Sequence, residues 1–298
     1  MGVLLSKLVR LYTFNSPIRK GKYRLALLAL SLSPDLPDKV LAKTFDGRRL
    51  FVNPHISPFF YFLGEYEYAI TKIISSVVLP NDICLDVGAN IGWYTTLLQK
   101  RVGAEGQVHA FEPIPSVFEQ LKRNVSLNVN NSNVCLNNVA VGDKEGRVVL
   151  YMFSGLSDGH TSLSTLGRGD YRTVEGQMIM LDTYLQQKKI QQVNFVKVDI
   201  EGAELQLLNG ATSIFKQKVP PIWMIEMALG TTKGFGYLPN DLMVFMRQQA
   251  EYEFYVIDEV RCLLKRIEGF EPENIGANVL CVPKGHYEER LSKLKIIR

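Results

Sequence analysis

Between residues 83 and 282, short apolar runs alternate with stretches of helical spacing. Ile83–Val87, Gln107–Phe111, Val134–Val141, Asn194–Val198 and Ile222–Met227 are apolar runs of strand length, a pattern of strands covered on both faces. Trp93–Arg101, Val117–Asn128, Ala203–Phe215 and Leu238–Gln249 carry apolar positions at helical spacing. Arg147–Phe153 and Glu175–Leu181 read as strands bracketing a Gly/Ser-rich loop. Tyr252–Ile257 and Asn278–Val282 read as strands closing the sheet as a hairpin around Arg261–Glu273. This alternation predicts an α/β fold with a doubly wound, mostly parallel sheet and helices on both faces. Such sheets bind ligands beyond the carboxyl ends of their strands, where the strand order switches.

The first 75 residues follow a different rhythm. Residues 1–32 show helix-like spacing (Leu4, Leu5, Leu8, Leu11), ended by Pro34 and Pro37. Asp46-Gly47 between apolar runs signals a hairpin over Thr44–Val52, and Glu65–Val78 reads as a helix. The expected division is an N-terminal helical and hairpin appendage over 1–75, the α/β domain over 76–285 and a tail over 286–298.

Charge adds one feature. The net +4 is concentrated in residues 1–34, where Lys7, Arg10, Arg19, Lys20, Lys22 and Arg24 meet no acid; the remainder has 28 bases against 30 acids. A body this near neutrality argues against a nucleic-acid footprint. The basic, apolar leader suits peripheral contact with an anionic membrane. No apolar run reaches spanning length. The four cysteines form no CxxC pair and no Cys/His cluster, which reads as a reducing, cytoplasmic setting without zinc.

The chemistry begins at Leu85-Asp-Val-Gly-Ala-Asn-Ile-Gly-Trp-Tyr94, where a buried strand turns tightly into a helix. Gly88 and Gly92 allow close backbone approach to a ligand. A dinucleotide loop reads G-x-G-x-x-G. Here the spacing is Gly88-x-x-x-Gly92, and Asn90 stands where the middle glycine would be. Asp86 would repel a pyrophosphate and suits a cation. S-adenosylmethionine carries a sulfonium and an α-amino group, and Asp86 can hold the latter. Glu112, in Phe111-Glu-Pro113, ends the second strand and can accept two ribose hydroxyls. Taken singly, each also reads as ordinary turn or strand-end chemistry; their joint spacing points to a cofactor.

These residues, with Ala140-Val-Gly-Asp143, Thr161-Ser-Leu163, Leu181-Asp-Thr-Tyr184, Lys197-Val-Asp-Ile-Glu-Gly-Ala-Glu204 and Asn278-Val-Leu-Cys-Val-Pro283, resemble the FkbM family of S-adenosylmethionine-dependent methyltransferases. The resemblance spans about 200 residues in order. It implies a class I methyltransferase (Rossmann-like) fold with a seven-stranded sheet whose last strand is antiparallel. It also implies methyl transfer, usually to a hydroxyl oxygen; family members act on sugars and on polyketide-type natural products, so the family does not fix the acceptor, and the expected function is O-methylation of a hydroxyl on a sugar, glycolipid or other natural product.

Asp199 ends the fourth core strand and Glu201 opens the next helix, so both flank the expected methyl donor. Transfer to an alcohol needs a positioned oxygen and a proton acceptor. Asp199 is the candidate base or cofactor ligand, Glu201 and Glu226 candidate acceptor ligands, and the three together a possible oxygen site for a divalent cation. His160, in the loop Gly155–Leu163, is a second candidate base. Asn138, near the end of the third strand, can bond the adenine edge. Glu201 also reads as an acid favoured at a helix start, His160 as a loop histidine and Asn138 as a turn residue. The alternatives to an O-methyltransferase are a nicotinamide-dependent oxidoreductase, disfavoured by Asp86 and Asn90, and a cofactor-binding protein without catalysis.

Overall fold

A computed structural model describes residues 2–16, 21–128, 131–153, 161–165, 167, 169–271 and 276–297. The chain opens with two helices, α1 (Gly2–Asn15) and α2 (Lys22–Ser31), then a hairpin of β1 (Val40–Lys43) and β2 (Arg49–Val52). Helices α3 (Pro58–Leu63) and α4 (Tyr68–Val77) lead into β3 (Ile83–Val87), α5 (Trp93–Val102), β4 (Gln107–Phe111), α6 (Pro115–Ser126) and β5 (Val134–Asn137). Next come β6 (Ala140–Gly142), β7 (Gly146–Phe153), β8 (Thr161–Ser162) and β9 (Tyr171–Met180), which form a separate four-stranded sheet in the order β6-β9-β7-β8. The main sheet resumes through α7 (Leu181–Lys188), β10 (Phe195–Val198), α8 (Glu204–Asn209), β11 (Ile222–Ala228), α9 (Leu229–Thr232), α10 (Pro239–Gln249) and β12 (Tyr252–Asp258). It ends with β13 (Leu263–Ile267), β14 (Gly276–Pro283), α11 (Glu288–Leu291) and β15 (Ile296–Ile297).

The main sheet runs β15-β13-β12-β14-β11-β10-β3-β4-β5. From β5 to β12 it is the expected seven-stranded class I sheet: β3, β4, β5, β10 and β11 pair in parallel, and β14 enters antiparallel between β11 and β12. The two short strands β13 and β15 extend its edge. The strand order reverses between β3 and β10. Register there aligns Val87 with both Phe111 and Val198, and Val198 with Ile225. Because β3, β4 and β10 end flush, Gly88, Glu112 and Asp199 emerge along one edge, and Glu226, within β11, lies at the same level.

Alternate strand residues face opposite layers. Cys84, Phe195, Ile222 and Met224 pack with Phe62, Ile70, Ile74, Leu97 and Leu98. Leu85, Val87, Val196, Val198, Trp223 and Ile225 pack with Leu207, Leu208, Ile214, Phe215, Leu242 and Met246. The first layer includes Ala26, Leu50, Val52 and Phe62, so residues 1–75 supply much of one face's cover.

Four elements differ from the sequence pattern, and the helix expected over Ala203–Phe215 is α8 followed by a 3-10 turn at Thr212–Lys216. The strand expected over Val134–Val141 is two strands in different sheets. The Asn138 Nδ2 donates to the carbonyls of Glu112 (2.8 Å) and Pro113 (3.0 Å), pinning the chain where β6 leaves to pair with β9. The single helical pattern over residues 1–32 is a pair of helices, tied where the Ser33 hydroxyl donates to the Gly2 carbonyl at 2.6 Å. Within Arg261–Glu273 lies a strand, β13, that pairs with β12 on the side away from β14.

Candidate active site

The turn after β3 places three alternate left-handed residues: Gly88 (φ 84°), Asn90 (φ 50°) and Gly92 (φ 95°). Asparagine tolerates this region better than other side-chain-bearing residues, so Asn90 can stand where a dinucleotide loop has glycine. Gly88 has no alternative: a Cβ there would lie 1.8 Å from the Asp199 carbonyl oxygen. The backbone N–H groups of Gly88 and Ala89 both donate to the Phe111 carbonyl. The Glu112 carboxylate accepts from the backbone N–H of Asn90 (3.0 Å) and Ile114 (2.9 Å). Burial pushes Glu112 up to about 7, although those two N–H groups pull the other way. Glu112 therefore fixes the glycine loop as well as facing the cavity.

That cavity has a volume of about 950 Å³ and lies between the strand ends and the N-terminal layer. Gly88, Asn90, Glu112, Asp199, Glu201 and Glu226 all line it. Asp86, Gly92 and Asn138 do not. Asp86 is buried beneath the loop and accepts from the Thr95 hydroxyl at 2.5 Å. Burial pushes its carboxyl up to about 6, against Thr95 and Lys197. Trp93 and Phe111 reach the cavity wall, but Trp93 donates to Thr71 (3.0 Å) and Phe111 packs edge-on against Tyr184. His160 and its neighbours Asp158 and Arg168 lie outside the described residues.

The acidic group has a cation at its centre. Lys197, only 1% exposed, interrupts the apolar run of β10. Its Nζ lies 3.2 Å from Asp199 Oδ2 and 5.3 Å from the Tyr94 ring centroid. Burial alone would depress the ammonium's pKa, but Asp199, Glu67 and Glu226 outweigh it and raise the pKa. Glu201, left-handed at φ 53°, is pushed up to about 7 by burial and by Asp199. Glu226 is pushed up to about 8 by burial, Asp199 and Glu201, against Lys197. Among the described residues no three His, Cys, Asp or Glu side chains converge as a metal-ligating group; the Lys197 ammonium supplies the positive charge beside Asp199.

Sequence reasoning assigned no role to Lys197, Glu204, Tyr66 or Glu67. A lysine flanked by Val196 and Val198 was the available signal, since lysine is almost never fully buried unpaired. Glu204 is also fully buried. Its Oε1 accepts from the backbone N–H of Gly202 (3.2 Å) and Ile200 (3.3 Å), and Tyr237 Oη lies 3.0 Å from its Oε2. It thus holds the Asp199–Gly202 turn. Ser162 donates to the Glu201 carbonyl (2.8 Å), which joins the second sheet to the same turn. Tyr66 and Glu67 line the cavity from the N-terminal layer, and Glu67 accepts from the Tyr94 hydroxyl. Glu67 is left-handed at φ 40°, a costly conformation for glutamate that tertiary contacts hold in place. No local pattern announced these two.

The sequence profile of the methyltransferase FkbM domain matches residues 86–254. The chain belongs to the FkbM methyltransferase family. Among its relatives, Methyltransferase 1 of Beauveria bassiana is 26% identical over 183 residues, covering 55% of this chain and 72% of the relative. The hexuronic acid methyltransferase AglP of Haloferax volcanii is 26% identical over 147 residues, covering 49% and 57%. The 31-O-demethyl-FK506 methyltransferase FkbM of Streptomyces tacrolimicus is 28% identical over 183 residues, covering 51% and 69%. The solved O-methyltransferase from Bacillus cereus in complex with SAH aligns with a TM-score of 0.43 at 9% identity, covering 95% of this chain and 100% of that one.

An FkbM protein is a methyltransferase that uses S-adenosylmethionine, and the cavity fits that donor. It is within the range of ligand sites, offers a glycine turn for close approach and a ring of carboxylates for a cation. The nicotinamide-dependent alternative loses its support.

Proposed function

We propose that this member of the family moves a methyl group from S-adenosylmethionine to a hydroxyl oxygen of a small polar or glycan acceptor. The observation that carries this reading is the convergence of Asp199, Glu201 and Glu226 on one cavity beside the glycine loop. The methyl donor supplies an electrophilic methyl on a sulfonium and leaves as a neutral thioether. Gly88, Asn90 and Glu112 hold it, with Asp86 setting the turn from beneath. Asp199, locked to Lys197, is a fixed negative charge facing the methyl-bearing end. Glu226, whose ionisation sits near neutral pH, takes the hydroxyl proton as the new O–CH₃ bond forms. Glu201 orients the acceptor. His160 remains the other candidate base. The relatives named for a hexuronic acid and for 31-O-demethyl-FK506 support an oxygen acceptor.

The test is labelled-methyl transfer across sugar, glycolipid and polyketide acceptors, repeated with Asp199→Asn, Glu226→Gln and His160→Ala. Turnover should fall by about 10²-fold or more where a base is lost, with SAH binding retained. Wild-type turnover in all three variants would remove this reaction centre. We further propose that residues 1–34 rest on a membrane surface, supported by Leu4, Leu8 and Leu11, each more than half exposed on α1. Among the described residues no helix is long and apolar enough to cross a membrane.

A further inference from the structure

Helices α1 and α2 pack on the core largely through small residues, with half-buried Val9 and Leu30, and leave most of their large apolar side chains facing out. On α1 the residues turned inward and fully buried are Ser6 and Thr13, while Val3, Leu4, Leu8, Leu11 and Tyr12 face out. Thr13 needs a hydrogen bond to the Phe62 carbonyl (2.5 Å) to sit there. On α2 the buried residues are Ala26 and Ala29, while Tyr23, Leu27 and Leu28, and Leu32 just after the helix, are exposed. An ordinary surface helix buries its leucines and exposes its serines and alanines. The leucines here recur at 4, 8, 11 and at 27, 28, 32, so they form continuous outer faces on two packed helices. Lys7 and Arg24 share those faces, and no acid occurs before Asp35. A second copy of the chain docked on this face by a two-fold axis would oppose base to base. An anionic lipid surface satisfies both the leucines and the bases.

This apolar face is continuous with the mouth of the methyltransferase cavity. Tyr23, in the first turn of α2, packs edge-on against Phe59 at 4.8 Å, and Phe59 lines the cavity. Asp38, Lys39 and Ile56 line the cavity and are themselves solvent-exposed, so they form part of its rim. Asp38 and Lys39 follow α2 within eight residues, and His55 Nε2 lies 2.8 Å from the Leu36 carbonyl, tying the 53–57 turn to that segment. All of this lies before residue 86, where the family match begins.

We infer that the methyl acceptor is the hydroxylated polar head of a membrane-anchored molecule, delivered to the cavity while α1 and α2 lie in the bilayer interface. This deepens the proposed O-methyl transfer and rests on the proposed membrane contact. The bilayer would fix the rim over the headgroup layer, so a head enters the cavity while its lipid anchor stays beside α2.

The experiment uses the full chain with vesicles of phosphatidylcholine and phosphatidylglycerol, read by co-sedimentation and by amide hydrogen exchange. A Leu4→Ser/Leu8→Ser/Leu11→Ser variant alters only exposed side chains, so it should fold. We expect the wild type to sediment with vesicles and the variant to lose most of that binding, with SAH affinity unchanged within about twofold. Vesicles should slow exchange in α1, in α2 and also in residues 53–59 at the rim. With membranes and tritiated methyl donor, label should enter chloroform–methanol-extractable material, and the variant should lose this labelling. Equal sedimentation of variant and wild type, or loss of leucines that abolishes self-association instead of vesicle binding, overturns the membrane contact itself. Vesicle binding that leaves residues 53–59 unprotected, or label confined to water-soluble acceptors, overturns the membrane-anchored acceptor and leaves O-methyl transfer standing.

Discussion

Glu201 and Glu226 show how far a neighbourhood can move an acid. Both are raised above their ordinary value of 4.5 by burial and by the charge of Asp199. A carboxyl raised on folding contributes stability fully present below that ordinary value and lost as pH rises through the folded one. The free protein should therefore lose stability progressively from about pH 4.5 through about 7 and about 8 as the two acids ionise. The same ionisation creates negative charge at the site proposed to face a sulfonium. The affinity ratio of S-adenosylmethionine to SAH should then climb between pH 6 and pH 8.5, because only the former carries that charge. Calorimetry across this range measures it, and a flat ratio would place the sulfonium elsewhere. His109 moves the other way: burial lowers it to about 4, so it is neutral at the pH where the cavity acids titrate and adds nothing to that profile.

The glycine turn and the turn after β10 act as a pair. Gly88 lies against the Asp199 carbonyl, so each turn sets the other's position. Gly88→Ala should cost about 1–3 kcal/mol from overpacking and about 1–2 kcal/mol more from the left-handed backbone. It should also abolish SAH binding, because the displaced turns carry the cavity wall. Gly236→Ala is the matched comparison: it too is left-handed (φ 79°, ψ 22°), but its added Cβ meets nothing within 4 Å. It should show only the backbone cost and bind SAH normally. Denaturant unfolding of both variants, with SAH titrations, separates the effects; equal losses would mean the contact with Asp199 is not what requires glycine. Both glycines of this turn were legible in the sequence because a strand running directly into a helix needs them locally. Glu204 closes the Lys197–Glu204 motif, yet its work for the turn after β10 was hidden because Tyr237, 33 residues later, meets it only in the folded chain.

At the scale of the molecule, the ends of the chain are docked. The Arg290 guanidinium in α11 pairs with both oxygens of Asp82 at 2.5 and 3.0 Å and also donates to the Val77 carbonyl. The side chains are 13% and 6% exposed. Removing one partner of such a buried pair leaves the other uncompensated, so Arg290→Ala should cost about 3–5 kcal/mol. The loss would appear as a lower denaturant midpoint in the full chain, and Asp82→Asn should weaken the same contact. A midpoint unchanged in Arg290→Ala would show that residues 286–298 hang free of the core. Their expected role as a tail came from position alone, since nothing in their pattern names a partner two hundred residues earlier. At the other end, Arg48 is 2% exposed, pairs with Asp46 and reaches Thr96 (2.8 Å), so it plugs the N-terminal hairpin into α5.

Apolar run length, helical spacing and glycine placement are local properties, so the sequence by itself determined the five parallel core strands, the turn at Gly88–Gly92 and the acids at the strand ends. Flush strand ends followed once the order of pairing was known. Tertiary structure alone decided which of those acids face the cavity. It turned Asp86 under the loop, used Glu112 to hold two backbone N–H groups, and placed Glu67 beside Lys197 across 130 residues of chain. It also decided that Leu4, Leu8 and Leu11 point outward while Ser6 and Thr13 point inward. Spacing can mark a stripe of leucines on a helix, but burial depends on what lies against that stripe, and only the assembled chain supplies the neighbours.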